Sequence, residues 1–183
     1  MVSFIILGVV AVIVIYFISA YNSFIHFRNS VEEAFATIDV YLKKRYDLLP
    51  NLVNTVKGYA KHESETLEKV ISARNSCISS SSVNDKIANE AVLAQSLSKL
   101  FALSEAYPDL KANTNFLSLQ NDIKAIENDL AQARKYYNGN VKIFNTKCDT
   151  FPSVLISKIM NFSKFSYFEI QNEVEKENVK VEF

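Results

Sequence analysis

Few residues in this chain invite chemistry, and they are scattered. The run "HESET", residues 62–66, begins like a zinc-binding HExxH helix, but its fifth position is Thr66 instead of a second histidine. Zinc at such a site needs paired imidazoles one helical turn apart. The two histidines, His26 and His62, each lack a glutamate three residues earlier, so the Glu-x-x-His pairs of helical di-iron sites are missing too. Gly8, Gly58 and Gly139 lie too far apart to form a phosphate-cradling loop. No serine or cysteine stands in a nucleophile-elbow pattern. The expectation is no metal, no cofactor, no catalytic residue, and a protein that is not an enzyme.

What remains is charge placed at helical spacing. Counted in sevens, Arg45 falls in register with Val31 and Ile38, and Glu63 with Leu49, Val56 and Val70. Arg74 follows Val53, Ala60 and Leu67, while Glu127 and Arg134 flank a later apolar stripe. Charges on apolar registers pair with one another inside a helical bundle and fix its alignment. The alternative is a ligand-binding or hydrolytic module built around Arg45, Glu63 and Arg74. Lys43, Lys44, Lys57 and Lys61 lie off the stripes and belong to a solvated face. Asn138 and Asn145, seven residues apart, share one helix face. Exposed, they would bind a partner; half-buried, they would cap or cross-link neighbouring helices.

The elements that must position these residues are long helices. The 183 residues include only three glycines and three prolines, too few for many turns. Lys+Arg and Asp+Glu are both 20, so no global charge draws the chain to nucleic acid. Cys77 and Cys148 show no metal spacing. They read as core thiols, with a single bridge between them as the alternative.

Residues 2–20 carry no charge. As a helix they span about 28 Å, the thickness of a bilayer's hydrocarbon. They lack the basic leader and small-residue cleavage site of a signal peptide, so the expectation is a retained, single-pass anchor in the cell membrane. Arg28, Lys43, Lys44 and Arg45 follow the span and no basic residue precedes it, which leans the following domain toward the cytoplasm.

Apolar residues then recur at helical spacing. The first stripe is Phe24, Val31, Phe35, Ile38, Leu42 and Leu49. The second is Leu52, Val53, Val56, Tyr59, Ala60, Leu67, Val70 and Ile71. "SCISSSSVND" interrupts, and Ser82 with Asp85 makes a helix start. The third stripe, Leu93, Leu97, Leu100 and Phe101, must stop before Pro108. The fourth repeats every seven residues through Phe116, Ile123, Leu130, Tyr137, Phe144 and Phe151, with Leu119, Ile126 and Ala133 as a second row.

Proline is harmless at the first position of a helix, so Pro50 reads as a hairpin corner, preferred over a kink in one long helix. Helices over 22–47, 50–78 and 84–107 would then be about 39, 43 and 36 Å long, matched as antiparallel neighbours. The expected fold is all-α: an antiparallel up-and-down four-helix bundle over residues 22–150, behind a transmembrane helix at 1–21. Four helices return the chain to the membrane. That would place Cys77 and Cys148 at one end and bring residues 155–162 next to Phe24. Residues 151–183 would form a short helix, covering the bundle's end or lying on lipid, and then a charged tail.

Long blocks of the sequence resemble the LemA family of bacterial membrane-anchored proteins. They are "RNSVEEAFATIDVYLKKRYDLLPNLVNTVKGYAKHESETLEKVISARN", "LFALSEAYPDLKANTNFLSLQ", "ARKYYNGNVKIFNT", "FPSVLI", the "YFE" at 167–169 and the closing "VKVEF". The resemblance implies a helical soluble domain behind one transmembrane helix, with no established enzymatic activity. Gly139 and Val154 depart from the family's usual residues. The function expected is a membrane-tethered, non-enzymatic scaffold with protein partners.

Overall fold

The computed structural model describes residues 1–168, and the expected charged tail lies outside them. The described residues are helical, with no strand among them. The helices are α1 Val2–Tyr59, α2 Ser64–Ser79, α3 Val83–Ser104, α4 Pro108–Lys111, α5 Thr114–Asp149 and α6 Ser153–Ile159.

The first helix overturns the hairpin at Pro50. α1 continues through the proline for another nine residues, to Tyr59. Its buried positions explain why. Phe24, Val31, Ala34, Ile38, Leu42, Arg45, Leu49, Leu52, Val56 and Ala60 follow one another in steps of three, four or seven, and the rhythm keeps its phase across residue 50. A corner there would break one continuous buried face. The usual cost of an internal proline, about 3 kcal/mol, arises partly from the carbonyl four residues back losing its N–H. Here that carbonyl belongs to Tyr46, and Arg74 Nε donates to it at 2.7 Å.

The chain turns at residues 60–63, where the Glu63 N–H closes on the Ala60 carbonyl at 3.2 Å. α2 therefore starts at Ser64, and residues 50–59 belong to α1. The expectation for Cys77 changes with it. Cys77 sits beside Tyr46, in a different compact unit from Cys148, and both thiols are buried and free.

The later boundaries fall near those expected. Ser82 caps α3, its hydroxyl accepting from the Asp85 N–H at 3.1 Å. α3 stops at Ser104, and Pro108 opens α4 as its first residue. In α5 the seven-residue stripe is buried from Phe116 to Phe144. Phe151 falls past the helix end and is 77% exposed.

Two compact units divide the chain. One holds Met1–Tyr41 with Asp129–Tyr167, and the other holds Leu42–Asn128 with Phe168. In the first, Phe35 meets the Tyr137 ring at 5.7 Å and Phe24 meets Phe144 at 5.9 Å, so α1 and α5 run antiparallel there. All of residues 2–19 except Phe17 are exposed. α1 is long and apolar enough to cross a membrane, and no residue of its most apolar stretch is buried.

Candidate functional site

The polar centre of the second unit forms where α1 presents two consecutive inward residues, Arg45 and Tyr46. Arg45 is 1% exposed, and its guanidinium donates to two carboxylates, Glu90 of α3 and Glu127 of α5. Glu90 is as deeply buried as Arg45, whereas Glu127 is 38% exposed. The Tyr46 hydroxyl donates to the other oxygen of Glu90. Cys77 of α2 lies beside Tyr46, and burial pushes its thiol above the ordinary range. Arg74, a turn before Cys77, holds the Tyr46 backbone. The cluster thus ties α1, α2, α3 and α5 together.

Its groups bond one another. Both oxygens of Glu90 are engaged and buried, so neither faces a substrate. A guanidinium stays charged across the physiological range and is a poor acid or base. Removing two charges from water costs several kcal/mol per ion, which pairing offsets only with good geometry. A group placed here makes every shifted register expensive, because a slipped helix would strand a buried charge.

The other residues singled out from sequence fall into separate places. Glu63 is half-buried and does not join Arg45 and Arg74; it accepts from the Tyr107 hydroxyl at 3.2 Å. Nearby, Asn113 donates to the Tyr59 hydroxyl at 2.8 Å and accepts from the Phe116 N–H, starting α5. These contacts pin the turn after α1 to the segment joining α3 and α5. Arg134 and Asn138 are half-buried on α5 in the first unit. Asn145 cross-links: it donates to the Phe165 carbonyl at 2.9 Å and accepts from the Phe165 N–H at 3.0 Å. One helical face away, Tyr137 donates to the Ser166 carbonyl at 2.9 Å, and burial raises its phenol above the usual range. Lys43, Lys44, Lys57 and Lys61 are exposed, as expected for a solvated face.

Sequence reasoning passed over Glu90. The signal was available, because Glu90, Leu93, Leu97, Leu100 and Ser104 form one buried row at steps of three and four. Among the described residues, no group of three or more His, Cys, Asp or Glu side chains is placed to hold a metal. A groove of about 690 Å³ runs along the second unit between α1 and α2, with Val53, Leu67, Ile71, Lys57 and Glu68 among the residues that line it. Arg45, Glu63 and Arg74 do not line it.

These features define, over the described residues, a helical protein led by an apolar helix of membrane-crossing length, with Arg45 paired to Glu90 and Glu127 inside it. The LemA family model matches residues 34–183, and the chain belongs to the LemA family. The matched region begins after the apolar run. Protein LemA of Metamycoplasma hominis is 27% identical over 161 residues, covering 86% of this chain and 72% of that protein.

Proposed function

We propose that this chain is a non-enzymatic helical scaffold tethered to the cell membrane by residues 1–21, which recruits or assembles proteins at the bilayer. The observation that carries the reading is the division of labour along α1. Its first part is bare and apolar, and its later part is a packed core helix. A bare stretch of about 18 apolar residues costs heavily in water and is stable in hydrocarbon.

The core of the tethered part is an antiparallel up-and-down four-helix bundle. Support comes from the contacts inside the second unit. Arg45 bonds Glu90 and Glu63 bonds Tyr107, so α1 and α3 run in step, whereas Tyr46 meets Arg74 and Cys77 on a returning α2. Phe101 of α3 meets Phe116 of α5 with ring centroids 6.4 Å apart. Arg45 paired with Glu90 and Glu127, Glu63 bonded to Tyr107 and Arg74 bonded to the Tyr46 carbonyl favour a scaffold over a ligand-binding or hydrolytic module at these residues. The basic residues after the span, Arg28 first, favour a cytoplasmic domain.

Carbonate extraction of membranes tests the tether. The full chain stays in the pellet, and a chain lacking residues 1–21 is soluble and helical. Release of the full chain by carbonate refutes the reading. A thermal-shift screen against metals and metabolites tests the scaffold. A ligand-binding module gains stability by mass action, about 2.7 kcal/mol at a hundred times Kd, and a scaffold gains none.

A further inference from the structure

The end of α5 and the segment after it leave apolar side chains uncovered at one place in the first unit. Leu155 and Ile159, 54% and 69% exposed, lie four residues apart and so share one side of α6, and Phe151, in the turn just before the helix, is 77% exposed. The opposite side of α6 is buried at Ile156 and Ser157. The helix is closed by a tight reversal. Asn161 takes the left-handed conformation at φ 56°, the Asn161 N–H reaches the Lys158 carbonyl, and the Phe162 N–H reaches that of Ser157 at 3.0 Å. That is the Schellman pattern, and it turns Phe162 inward.

Phe162 then fixes where this exposed face lies. Its ring stacks on Phe24 with centroids 4.7 Å apart and planes at 14°, and it lies 6.2 Å from the ring of Tyr21. Tyr21 directly follows the apolar run of 2–20. The α1–α5 register agrees. Phe35 pairs with Tyr137, Phe24 with Phe144, and Lys147 donates to Ser23 at 2.5 Å, which brings Asp149 level with the end of the apolar run. Asn145 and Tyr137 clamp the segment that follows to α5. The exposed face is therefore held beside the point where α1 passes from bare to packed. Lys158 and Lys164 flank it in the sequence, with one aspartate, Asp149, which pairs with Lys164 at 2.7 Å.

We propose that Phe151, Leu155 and Ile159 insert into the bilayer interface beside the anchor, with the lysines at the level of the lipid headgroups. The proposal rests on residues 1–21 crossing the membrane. A second copy of the chain is the less favoured occupant, because the face is continuous with a helix already committed to lipid. An interfacial helix buries its apolar side about 5–10 Å into the boundary between headgroups and acyl chains. Alone, three side chains and a seven-residue helix bind weakly. Here the anchor supplies the high local concentration, so a small gain suffices to hold the face down.

The chain contains no tryptophan, so a single introduced one reports its own surroundings. Full-length protein carrying Leu155→Trp, Ile159→Trp, Ile13→Trp or Val92→Trp is reconstituted in phosphatidylcholine–phosphatidylglycerol vesicles. The lipids carry bromine either high on the acyl chain or near its middle. All four positions are exposed in the fold, so the substitutions leave the core intact. Leu155→Trp and Ile159→Trp emission is expected to fall about two-fold with high-placed bromine and less with mid-chain bromine, as an interfacial depth requires. Ile13→Trp is expected to show the reverse preference, and Val92→Trp little quenching by either. If Ile13→Trp is quenched but residues 155 and 159 match Val92→Trp, the interfacial contact is refuted and the anchor stands. An unquenched Ile13→Trp refutes the anchor, and the proposal falls with it. A blue shift at 155 that depends on protein concentration and not on bromine assigns the face to a second copy and overturns the proposal.

Discussion

Arg74 Nε donates to the backbone oxygen of Tyr46 at 2.7 Å, and Pro50 is the reason that oxygen needs a donor. A helix normally satisfies each carbonyl with the N–H four residues on, and proline has none. The arginine of α2 completes α1. Hydrogen bonds to charged groups contribute about 1.5–3 kcal/mol, so Arg74→Ala is expected to cost that much in urea unfolding of the detergent-solubilised chain. In a Pro50→Ala background the residue at 50 supplies its own N–H, and the cost of Arg74→Ala should shrink. Equal costs in the two backgrounds would show that Arg74 acts through something other than the Tyr46 carbonyl.

Glu90 is the buried partner of Arg45, and Glu63 bonds a tyrosine at the edge of the fold. Glu90→Ala leaves a buried guanidinium with only the half-exposed Glu127, and breaking such a pair typically costs about 3–5 kcal/mol. Glu63→Ala loses one hydrogen bond, worth about 0.5–1.5 kcal/mol. Denaturation midpoints of the two variants should differ in that order. Replacing the pair together, Arg45→Met with Glu90→Leu, should cost less than Glu90→Ala alone, since apolar groups of similar volume often substitute for a buried pair without loss. A double variant worse than the single would mean that the cluster contributes net stability and not only register.

The fold was legible wherever the pattern was local. The uncharged run, the serine break before α3, the cap at Ser82 and the stop before Pro108 all depend on neighbours in sequence. The corner expected at Pro50 gives way because proline's cost has its remedy in a side chain 28 residues beyond the carbonyl it serves. The unbroken phase of Leu42, Leu49, Leu52 and Val56 argued for continuity through residue 50 and outweighed the proline. Arg45 was found because it breaks an apolar register. Its partner Glu90 precedes the apolar stripe that starts at Leu93, so hydrophobic spacing alone does not reveal it. Asn145 was left open between two roles because its partner, Phe165, lies across a reversal that no spacing predicts.

Gly139 lies on the exposed side of α5, where an added Cβ meets nothing within 4 Å. Glycine inside a helix costs about 0.5–1 kcal/mol relative to alanine. Gly139→Ala is therefore expected to raise the unfolding midpoint by an amount of that size. A lower midpoint would reveal a close approach to α5 at this position.

Cys77 is buried against Tyr46, and burial raises its thiol pKa more than Tyr46 and the nearby Arg45 and Lys86 charges lower it. The thiolate is the reactive form. In the folded protein at pH 8, alkylation of Cys77 should be far slower than in denaturant, where its pKa returns to about 8.5. Mass-spectrometric mapping of labelled peptides reads this directly. Rapid native labelling at Cys77 would place the thiol at an open, electropositive surface and remove it from the core.

Lys147 supplies a pH dependence whose sign can be fixed. Its amine lies 5.2 Å from the ring centroids of both Phe24 and Phe27 and donates to Ser23, yet burial lowers its pKa from the ordinary lysine range. A lysine with a depressed folded pKa binds its proton less tightly in the folded chain than in the unfolded one. Below the folded pKa both states are charged, and the fold carries the full penalty of holding the ammonium away from water. Between the folded and unfolded values the folded amine is neutral first, and the penalty fades. Above about 10.4, the unfolded value, it is gone. Lys147→Met, similar in length and uncharged, should therefore gain most over wild type at neutral pH. That advantage should shrink steadily as the pH rises into the range around 10. Urea midpoints of the two proteins, measured in parallel across that range, give the difference free of the other titrating groups. An advantage that grows with pH would mean that the aromatic rings and Ser23 stabilise the charged amine more than burial penalises it.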